Sequence, residues 1–306
     1  MPFITPKMTE KNQHAGFIAI AGIPNVGKST LLNCLAGGKI SIVTPKPQTT
    51  RQNITCIVEE GDAQAVFVDT PGFLRPEYAL QNTMTRNIRR ACSDDADVIV
   101  LVTEPRAPQE QETRLAAIIK EANVPVYLVV NKTDTANNKE QADEAVRKFS
   151  ELLTFRKTFL VSAKTGAGIK AMRAELLSAL PEHPHYFPKG QWTDRWERFY
   201  VAEFIREQIF LQYEQEVPYS CNVEIEEFHE TQNRPDHIRA IIHVERDAQK
   251  AIIIGKSGSA IKKLREASQK EIESFLDRKV SLELFVKTTP EWRSKKEALE
   301  QFGYLK

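Results

Sequence analysis

Eight residues near the amino terminus of this 306-residue chain have the types and spacing that phosphate chemistry requires: Gly22-Ile23-Pro24-Asn25-Val26-Gly27-Lys28-Ser29. An apolar run at 17–21 precedes them, and an apolar-periodic stretch at 30–36 follows, closed by Gly37 and Gly38. The pattern is therefore GxxxxGKS in a strand, loop, helix context. Its glycines let the backbone curl until the N–H groups of Gly22, Asn25, Val26, Gly27 and Thr30 can turn toward phosphate oxygens, and the helix dipole adds to that field. Lys28 can reach the β- and γ-phosphates, and the Ser29 hydroxyl can take a place on Mg2+. Asp69-Thr70-Pro71-Gly72 closes a second apolar run. There Asp69 can hold magnesium through a water, and the Gly72 N–H can approach the γ-phosphate. Between these stations, residues 40–51 are polar and broken by Pro45 and Pro47, which suits a segment that moves. Thr50 is the chosen magnesium-sensing threonine and Thr49 its close competitor, because spacing cannot separate adjacent hydroxyls. The bland readings, a packing turn and a polar surface loop, are weakest for the eight-residue loop and strongest for 40–51.

The run at 126–130 delivers Asn131-Lys132-Thr133-Asp134. A carboxylate there can accept two hydrogen bonds from guanine, from N1–H and the exocyclic amine. Adenine has neither donor and would leave the carboxylate unpaired. Lys132 can lie along the base, and Asn131 can tie its loop to the phosphate loop. Ser162-Ala163-Lys164 ends the next run, where the Ala163 N–H can meet the guanine carbonyl oxygen. Either peptide alone could be a helix cap. Together, in this order behind a phosphate loop, they specify GTP or GDP.

Elements must bring these stations together. Apolar runs at 17–21, 65–69, 98–103, 126–130 and 159–162 alternate with amphipathic stretches near 108–122, 137–152 and 168–179. That alternation implies βα units, a mostly parallel sheet buried on both faces, and a ligand at the strands' carboxyl ends. Residues 1–180 are the expected first domain. Residues 181–194, with Pro181, Pro184, Pro188 and Gly190, are the expected linker, and 195–306 the second domain. There the order is a helix (195–213), two strands (219–229, 237–245), two helices (248–254, 259–277) and a strand (280–288). Gly255-Lys256-Ser257-Gly258 joins the two helices. Its glycines would let a nucleic-acid backbone approach, Lys256 supplies charge, and the next helix offers free N–H groups. A GxxG tetrapeptide is poor evidence alone; the element order supplies the rest. Ile252 and Lys262 are the flanking candidates for contact with single-stranded bases, although most of 252–254 is expected in the core and Lys262 also reads as merely solvated. In the final stretch, Trp292, Leu299 and Phe302 are expected on one helical face, packed on their own domain.

Composition limits the classes. With 42 basic and 41 acidic residues and 41% hydrophobic, the chain is ordinary for a soluble protein. Cys34, Cys56, Cys92 and Cys221 are scattered, which argues against a disulfide framework or a zinc site and for a reducing setting. No apolar run approaches the ~20 residues of a spanning helix, and residues 1–16 lack the pattern of a secretory signal. Residues 251–306 hold 12 Lys/Arg against 8 Asp/Glu, a mild electrostatic hint.

With GIPNVGKST, PQTTR, DTPG, NKTD and SAK in this order, the first domain resembles the Ras-like GTPase superfamily, its translation-factor-like branch, and in particular the Era family. The second resembles a KH domain of the bacterial type (type II), which that family joins to its GTPase. The resemblance implies an α/β P-loop GTPase domain followed by a smaller α+β KH domain. It implies a GTP-hydrolysing switch that binds single-stranded 16S ribosomal RNA near its 3′ end, rather than DNA, and acts in 30S subunit assembly in the cytoplasm. A weak peripheral association with the inner membrane also comes with the resemblance, with little support from charge or amphipathicity. Two departures from the Ras pattern matter. Phe73 stands where Ras-type enzymes carry the glutamine that orients water, so intrinsic hydrolysis is expected to be slow. Asn25 stands where potassium-dependent relatives hold K+ beside the phosphates, which makes K+ a second expected cofactor beside Mg2+; a plain loop residue is the alternative. Lys28, Thr50, Gly72 and Asn25 are the expected catalytic residues, and Ser29, Thr50 and Asp69 the expected metal ligands. The γ-phosphate would order 44–50 and 72–90 and so change how the domains dock. Two rivals stay open: a passive RNA-binding protein on a GDP-locked support, and a membrane signalling GTPase.

Overall fold

Alternate side chains of the first strand, β1 (His14–Ala21), enter two different cores. Ile18 and Ile20 pack with Leu31, Leu32 and Leu176, while Ala19 and Ala21 pack with Ile88, Leu115 and Phe149. This is the period of two expected for a strand buried on both faces. The computed structural model describes residues 13–135, 139–231 and 234–305. The first twelve residues and the predicted helix start at 137–138 lie outside them.

After β1 come α1 (Lys28–Ala36), β2 (Ile54–Glu60), β3 (Ala63–Asp69), α2 (Ala79–Ser93), β4 (Val98–Thr103) and α3 (Glu110–Glu121). Then follow β5 (Val126–Val130), α4 (Lys139–Ser150), β6 (Lys157–Leu160) and α5 (Ile169–Ser178). The sheet order is β2-β3-β1-β4-β5-β6, parallel except for β2. Two elements had not been expected. β2 turns back through Gly61, at φ 63°, into an antiparallel pair with β3. α2 is polar over most of its length, with an apolar buried stripe of Leu80, Met84, Ile88, Ala91 and Cys92.

The second sheet is preceded by α6 (Glu197–Gln212) and the one-turn α7 (Val217–Ser220). β7 (Asn222–His229) pairs antiparallel with β8 (Asp236–Val244), and α8 (Asp247–Ile254), a tight turn at Lys256–Gly258 and α9 (Ser259–Leu276) lead to β9 (Val280–Thr288), parallel to β8. The strand expected from 219 starts instead at Asn222, because Pro218 suits a helix start and winds 217–220 into α7. Buried apolar contacts run without a break from Leu31 of α1 through Tyr200 and Phe204 of α6 to Ile238 of β8 and Ile272 of α9.

The proline-rich stretch at 181–194 is pinned along the edge of the first sheet. Gln64 Oε1 accepts from the amides of Tyr186 (2.8 Å) and Phe187 (3.0 Å), Ile57 N–H donates to Trp192 O (3.0 Å), and the Thr193 hydroxyl donates to Thr55 O (3.0 Å).

The carboxyl-terminal segment corrects an expectation. Helix α10 spans only Lys296–Gln301, so Trp292 lies before it and Phe302 after it rather than on one helical face. Their rings still meet, at 5.4 Å, and with Leu299 and Tyr304 they enclose Leu80 and Met84 of α2. Leu80 N–H donates to Arg293 O at 3.0 Å. The tail therefore docks on the first domain as well as its own, because α2 carries an apolar stripe that needs cover. Trp292 is fully buried and donates its indole N–H to Ser220 O at 2.7 Å. Trp292→Ala is expected to cost about 3–5 kcal/mol in urea unfolding, as large-to-small core changes do; a loss below about 1 kcal/mol would show that this contact carries little of the docking.

Candidate functional site

The carboxyl ends of β1, β3 and β5 converge on a cleft of about 440 Å³ lined by Asn25, Lys28, Ser29, Thr50, Gly72 and Lys132, among others. Gly27 has φ 94°, and a Cβ there would sit 2.3 Å from Asn131 Nδ2, so only glycine fits both the backbone and the neighbour. Asn131 ties three loops: Nδ2 donates to Val26 O at 2.9 Å, and Oδ1 accepts from Ala163 N–H at 2.9 Å. That second bond engages the amide expected to face a guanine carbonyl. The correction follows from the asparagine amide, which carries a donor and an acceptor and satisfies both neighbouring loops at once.

Lys28 is 5% exposed and donates to Ile23 O at 2.9 Å. Burial lowers its pKa to about 8, against the pull of the Asp69 carboxylate. Asp69 is fully buried, and burial pushes its pKa up, opposed by Lys28 and the hydroxyls around it. Oδ2 accepts from Ser29 Oγ (2.6 Å) and Ser41 Oγ (3.1 Å), but Oδ1 is buried with no partner. A buried carboxylate oxygen left unpaired is costly. The hydroxyls of Ser29 and Thr50 lie 2.9 Å apart beside it. Thr49 turns away, its hydroxyl 2.6 Å from that of Thr44 and 2.8 Å from Lys46 O. Ser29, Thr50 and Asp69 thus form an all-oxygen group of the kind hard cations take, and the orphaned oxygen is what a metal-bound water would satisfy.

Gly72 leaves no room for a side chain: a Cβ would be 2.7 Å from the Pro24 backbone. Phe73 N–H donates to Gly22 O at 3.0 Å, and its ring is buried against the α2 and α3 side of the sheet, where it cannot orient a water in the cleft. The Asn25 amide donates to Pro45 O at 3.2 Å, joining the phosphate loop to 40–51. Lys132, at φ 61°, donates to Asn25 O at 2.6 Å and pairs with Glu104. Asp134 is exposed and accepts from Ser162 Oγ at 2.7 Å, which holds its carboxyl below the usual range; the charge of exposed Lys164 acts in the same direction. Thr30 is half-buried in the first turn of α1 and lines the cleft.

In the second domain Gly255 has φ 71° and its missing Cβ would overlap Ala260 at 2.5 Å, whereas Gly258, at φ 76°, faces open space. Lys256, Ser257 and Lys262 are exposed. Most of 252–254 was expected in the core, yet Ile253 alone is fully buried; Ile252 is 50% exposed and Ile254 partly so. One turn of α8 can present only one of three consecutive residues to the core. Sequence reasoning missed Phe285, which is 49% exposed on β9 beside Lys262 and Arg265 with the Arg239 guanidinium 5.3 Å from its ring. The signal available was an aromatic within the run at 280–288.

Contacts between the domains were also missed. Arg51 is 4% exposed; its guanidinium donates to Cys221 O (2.7 Å), Tyr219 O (3.0 Å) and Pro218 O (3.2 Å) and lies over the Trp292 and Phe210 rings. Lys46 Nζ donates to Phe210 O at 2.7 Å and to Tyr213 O. Val43 N–H donates to Glu207 at 3.1 Å, and Lys39 pairs with Glu207 (2.6 Å) and Glu271 (2.8 Å). Residues 39–51 are thus stitched to α6, α7 and α9. Gly27→Ala is expected to weaken GDP binding at least about tenfold, since backbone strain alone is of order 1–3 kcal/mol and the Asn131 tie must also give way; unchanged affinity by calorimetry would show that the loop does not need this geometry.

Residues 17–132 match a family model described as 50S ribosome-binding GTPase, and residues 216–293 match one for the KH domain. The chain is 48% identical over 303 residues to GTPase Era of Elusimicrobium minutum, covering 97% of this chain and 99% of that one. It is 43% identical over 298 residues to GTPase Era of Geotalea daltonii, covering 97% and 100%. Among solved structures, Aquifex aeolicus Era Y63A bound to GDP·AlF4− matches with TM-score 0.91 at 33% identity over 96% of this chain and 100% of that one. Era in complex with MgGDPNP and nucleotides 1506–1542 of 16S ribosomal RNA matches with the same score, identity and coverage. Near-complete coverage of relatives this similar, on a fold that joins the phosphate cleft to the second sheet, makes the chain a member of the Era family of GTPases.

Proposed function

We propose that this GTPase is a switch in which Mg·GTP governs the grip of the second domain on the 3′ end of 16S ribosomal RNA during 30S subunit assembly. One observation carries the reading: Thr50 faces Ser29 in the phosphate cleft at 2.9 Å, and the next residue, Arg51, is buried against α7 of the second domain. Whatever orders Thr50 therefore bears directly on the domain contact. The Era relative solved with MgGDPNP and nucleotides 1506–1542 of 16S ribosomal RNA supports both ligands.

In this reading Ser29 and Thr50 hold Mg2+ and Asp69 holds its water, and the metal would neutralise charge developing on the β- and γ-phosphate oxygens. Gly22, Asn25, Val26, Gly27, Lys28 and Thr30 cradle the phosphates, with Lys28 supplying positive charge where it develops. The Gly72 N–H faces the γ-phosphate. Asp134 accepts from the two guanine donors while the Ser162 hydroxyl and the charge of Lys164 hold its carboxylate, Lys132 lies along the ring, and Ala163 borders the base with its amide tied to Asn131. With Phe73 turned into the core, water is positioned without a side chain from that place, and slow intrinsic hydrolysis follows. K+ beside Asn25 would supply the missing positive charge. RNA would lie over Gly255, Lys256, Ser257 and Gly258, with Ile252 and Lys262 flanking it.

Domain extents follow the same division, 1–180 and 195–306 with 181–194 between. Among the described residues no helix is long and apolar enough to cross a membrane. The apolar side chains of the tail are buried on α2, which favours RNA over lipid as the partner and the cytoplasm as the place.

Arg51→Ala is expected to bring the ratio of RNA affinities with GTP analogue and with GDP close to one, from the roughly 5- to 150-fold range of allosteric couplings, while GDP binding stays within about threefold. A ratio equal to that of the wild type in filter binding would remove Arg51 from the coupling. Phosphate release is expected to be faster in K+ than in Na+, with the difference lost in Asn25→Ala; equal rates in the two salts would exclude the monovalent site.

A further inference from the structure

A line of charged side chains behind the nucleotide cleft is not explained by any of the sequence motifs. Glu112, in the first turn of α3, is 0% exposed. Burying a carboxylate is tolerable only when donors surround it, and four do. Thr103 Oγ1 (2.9 Å) and Arg106 Nη2 (3.2 Å) reach Oε1, and Arg106 Nη1 (2.7 Å) and Gln109 N–H (2.8 Å) reach Oε2. Arg106 is thereby fixed in a two-pronged pair. Its Nε lies 3.6 Å from Oε2 of Glu104, the first residue after β4. The other oxygen of Glu104 takes the ammonium of Lys132, and that ammonium also donates to Asn25 O at 2.6 Å.

The order thus runs from buried to exposed: a buried carboxylate, a paired guanidinium, a carboxylate about one-third exposed, and the lysine at the cleft. Lys132 needs such support. Its backbone is left-handed, at φ 61°, so the extension of β5 does not set its direction, and a four-carbon stem has many rotamers to lose on ordering. With its head held between Glu104 and the phosphate loop, the stem presents one apolar flank to a purine before any nucleotide arrives. Preorganisation of this kind lowers the cost of binding rather than adding a contact.

We propose that Glu104, anchored through Arg106 to Glu112, is a positioning residue for the nucleoside half of the guanine nucleotide, acting through Lys132. The proposal rests on the nucleotide-site reading above. A merely structural reading makes the same line a device for capping α3 and closing 104–109, and the two differ in what they predict. Glu104 is about one-third exposed, and exposed pairs contribute little to stability. Glu104→Gln should therefore leave the unfolding midpoint nearly unchanged.

The test is calorimetry on the full chain with GDP, GTP and inorganic tripolyphosphate, together with steady-state hydrolysis. Glu104→Gln should weaken GDP and GTP alike by about five- to tenfold, raising KM with kcat unchanged, as loss of uniform binding does. Affinity for tripolyphosphate, which has no nucleoside, should not move. Lys132→Met should weaken GDP at least as much, and the double variant should be no weaker than Lys132→Met alone. If Lys132→Met binds GDP as the wild type does, the site reading fails and the proposal with it. If Lys132→Met weakens GDP but Glu104→Gln does not, the assignment of Glu104 alone is wrong. Equal weakening of tripolyphosphate in Glu104→Gln, or additive effects in the double variant, would give the line a structural role only and overturn the proposal.

Discussion

Thr50 and Arg51 are joined by one peptide bond, yet they belong to different parts of the molecule. The threonine hydroxyl shares the phosphate cleft with Ser29 and the buried Asp69 carboxylate. The arginine closes α7 by taking three backbone carbonyls and lies over Phe210 and Trp292. A peptide unit is too short and stiff to let one residue move far without the other. The rest of the arrangement depends on this constraint. In the proposed switch, movement that a metal and a γ-phosphate impose on the first side chain would reach the second through one peptide unit, beside the contacts that Lys39, Val43 and Lys46 make with the same domain.

Both sides of that link are firmly held. On the nucleotide side Asn131 ties the loops after β1, β5 and β6, and Gly27 exists because a methyl group would displace that asparagine. On the other side α6, α9 and the second sheet share a continuous apolar core with the first domain, and the tail closes over α2. The unsatisfied oxygen of Asp69 stands at the focus. A buried acceptor with no protein donor is tolerated where a ligand supplies one, and a metal-bound water in the proposed site would do so.

Much of this was legible in the sequence, and for a physical reason. GxxxxGKS, DTPG, NKTD and SAK are short segments whose residue types match what a guanine nucleotide would demand, so each carries its meaning locally, and the apolar runs that became β1, β3, β4 and β5 lie inside the sheet and are almost uniformly buried, whereas β6, an edge strand at Lys157–Leu160 rather than at 159–162, buries only Phe159. What escaped notice is what depends on distant partners. β2 is an edge strand whose only sheet neighbour among the described strands is β3. α2 is polar except for a stripe whose first half, Leu80 and Met84, is covered from residue 292 onward, while Ile88, Ala91 and Cys92 pack against the first sheet and α3. Arg51 and Lys46 look like solvated cations until the carbonyls of α6 and α7 are in place. Nothing local told Thr49 from Thr50 either; the two are separated by hydrogen bonds to residues up to 21 positions away.

Linkage between the two ligands reads the coupling itself. The affinity of the intact chain for a non-hydrolysable GTP analogue with magnesium is measured with and without saturating RNA carrying the 3′ end of 16S ribosomal RNA, and the affinity for that RNA with and without the analogue. The strap from Thr50 to Arg51 predicts a factor clearly above one, equal in both directions as thermodynamics requires. RNA affinity that is identical whichever nucleotide occupies the cleft would contradict it.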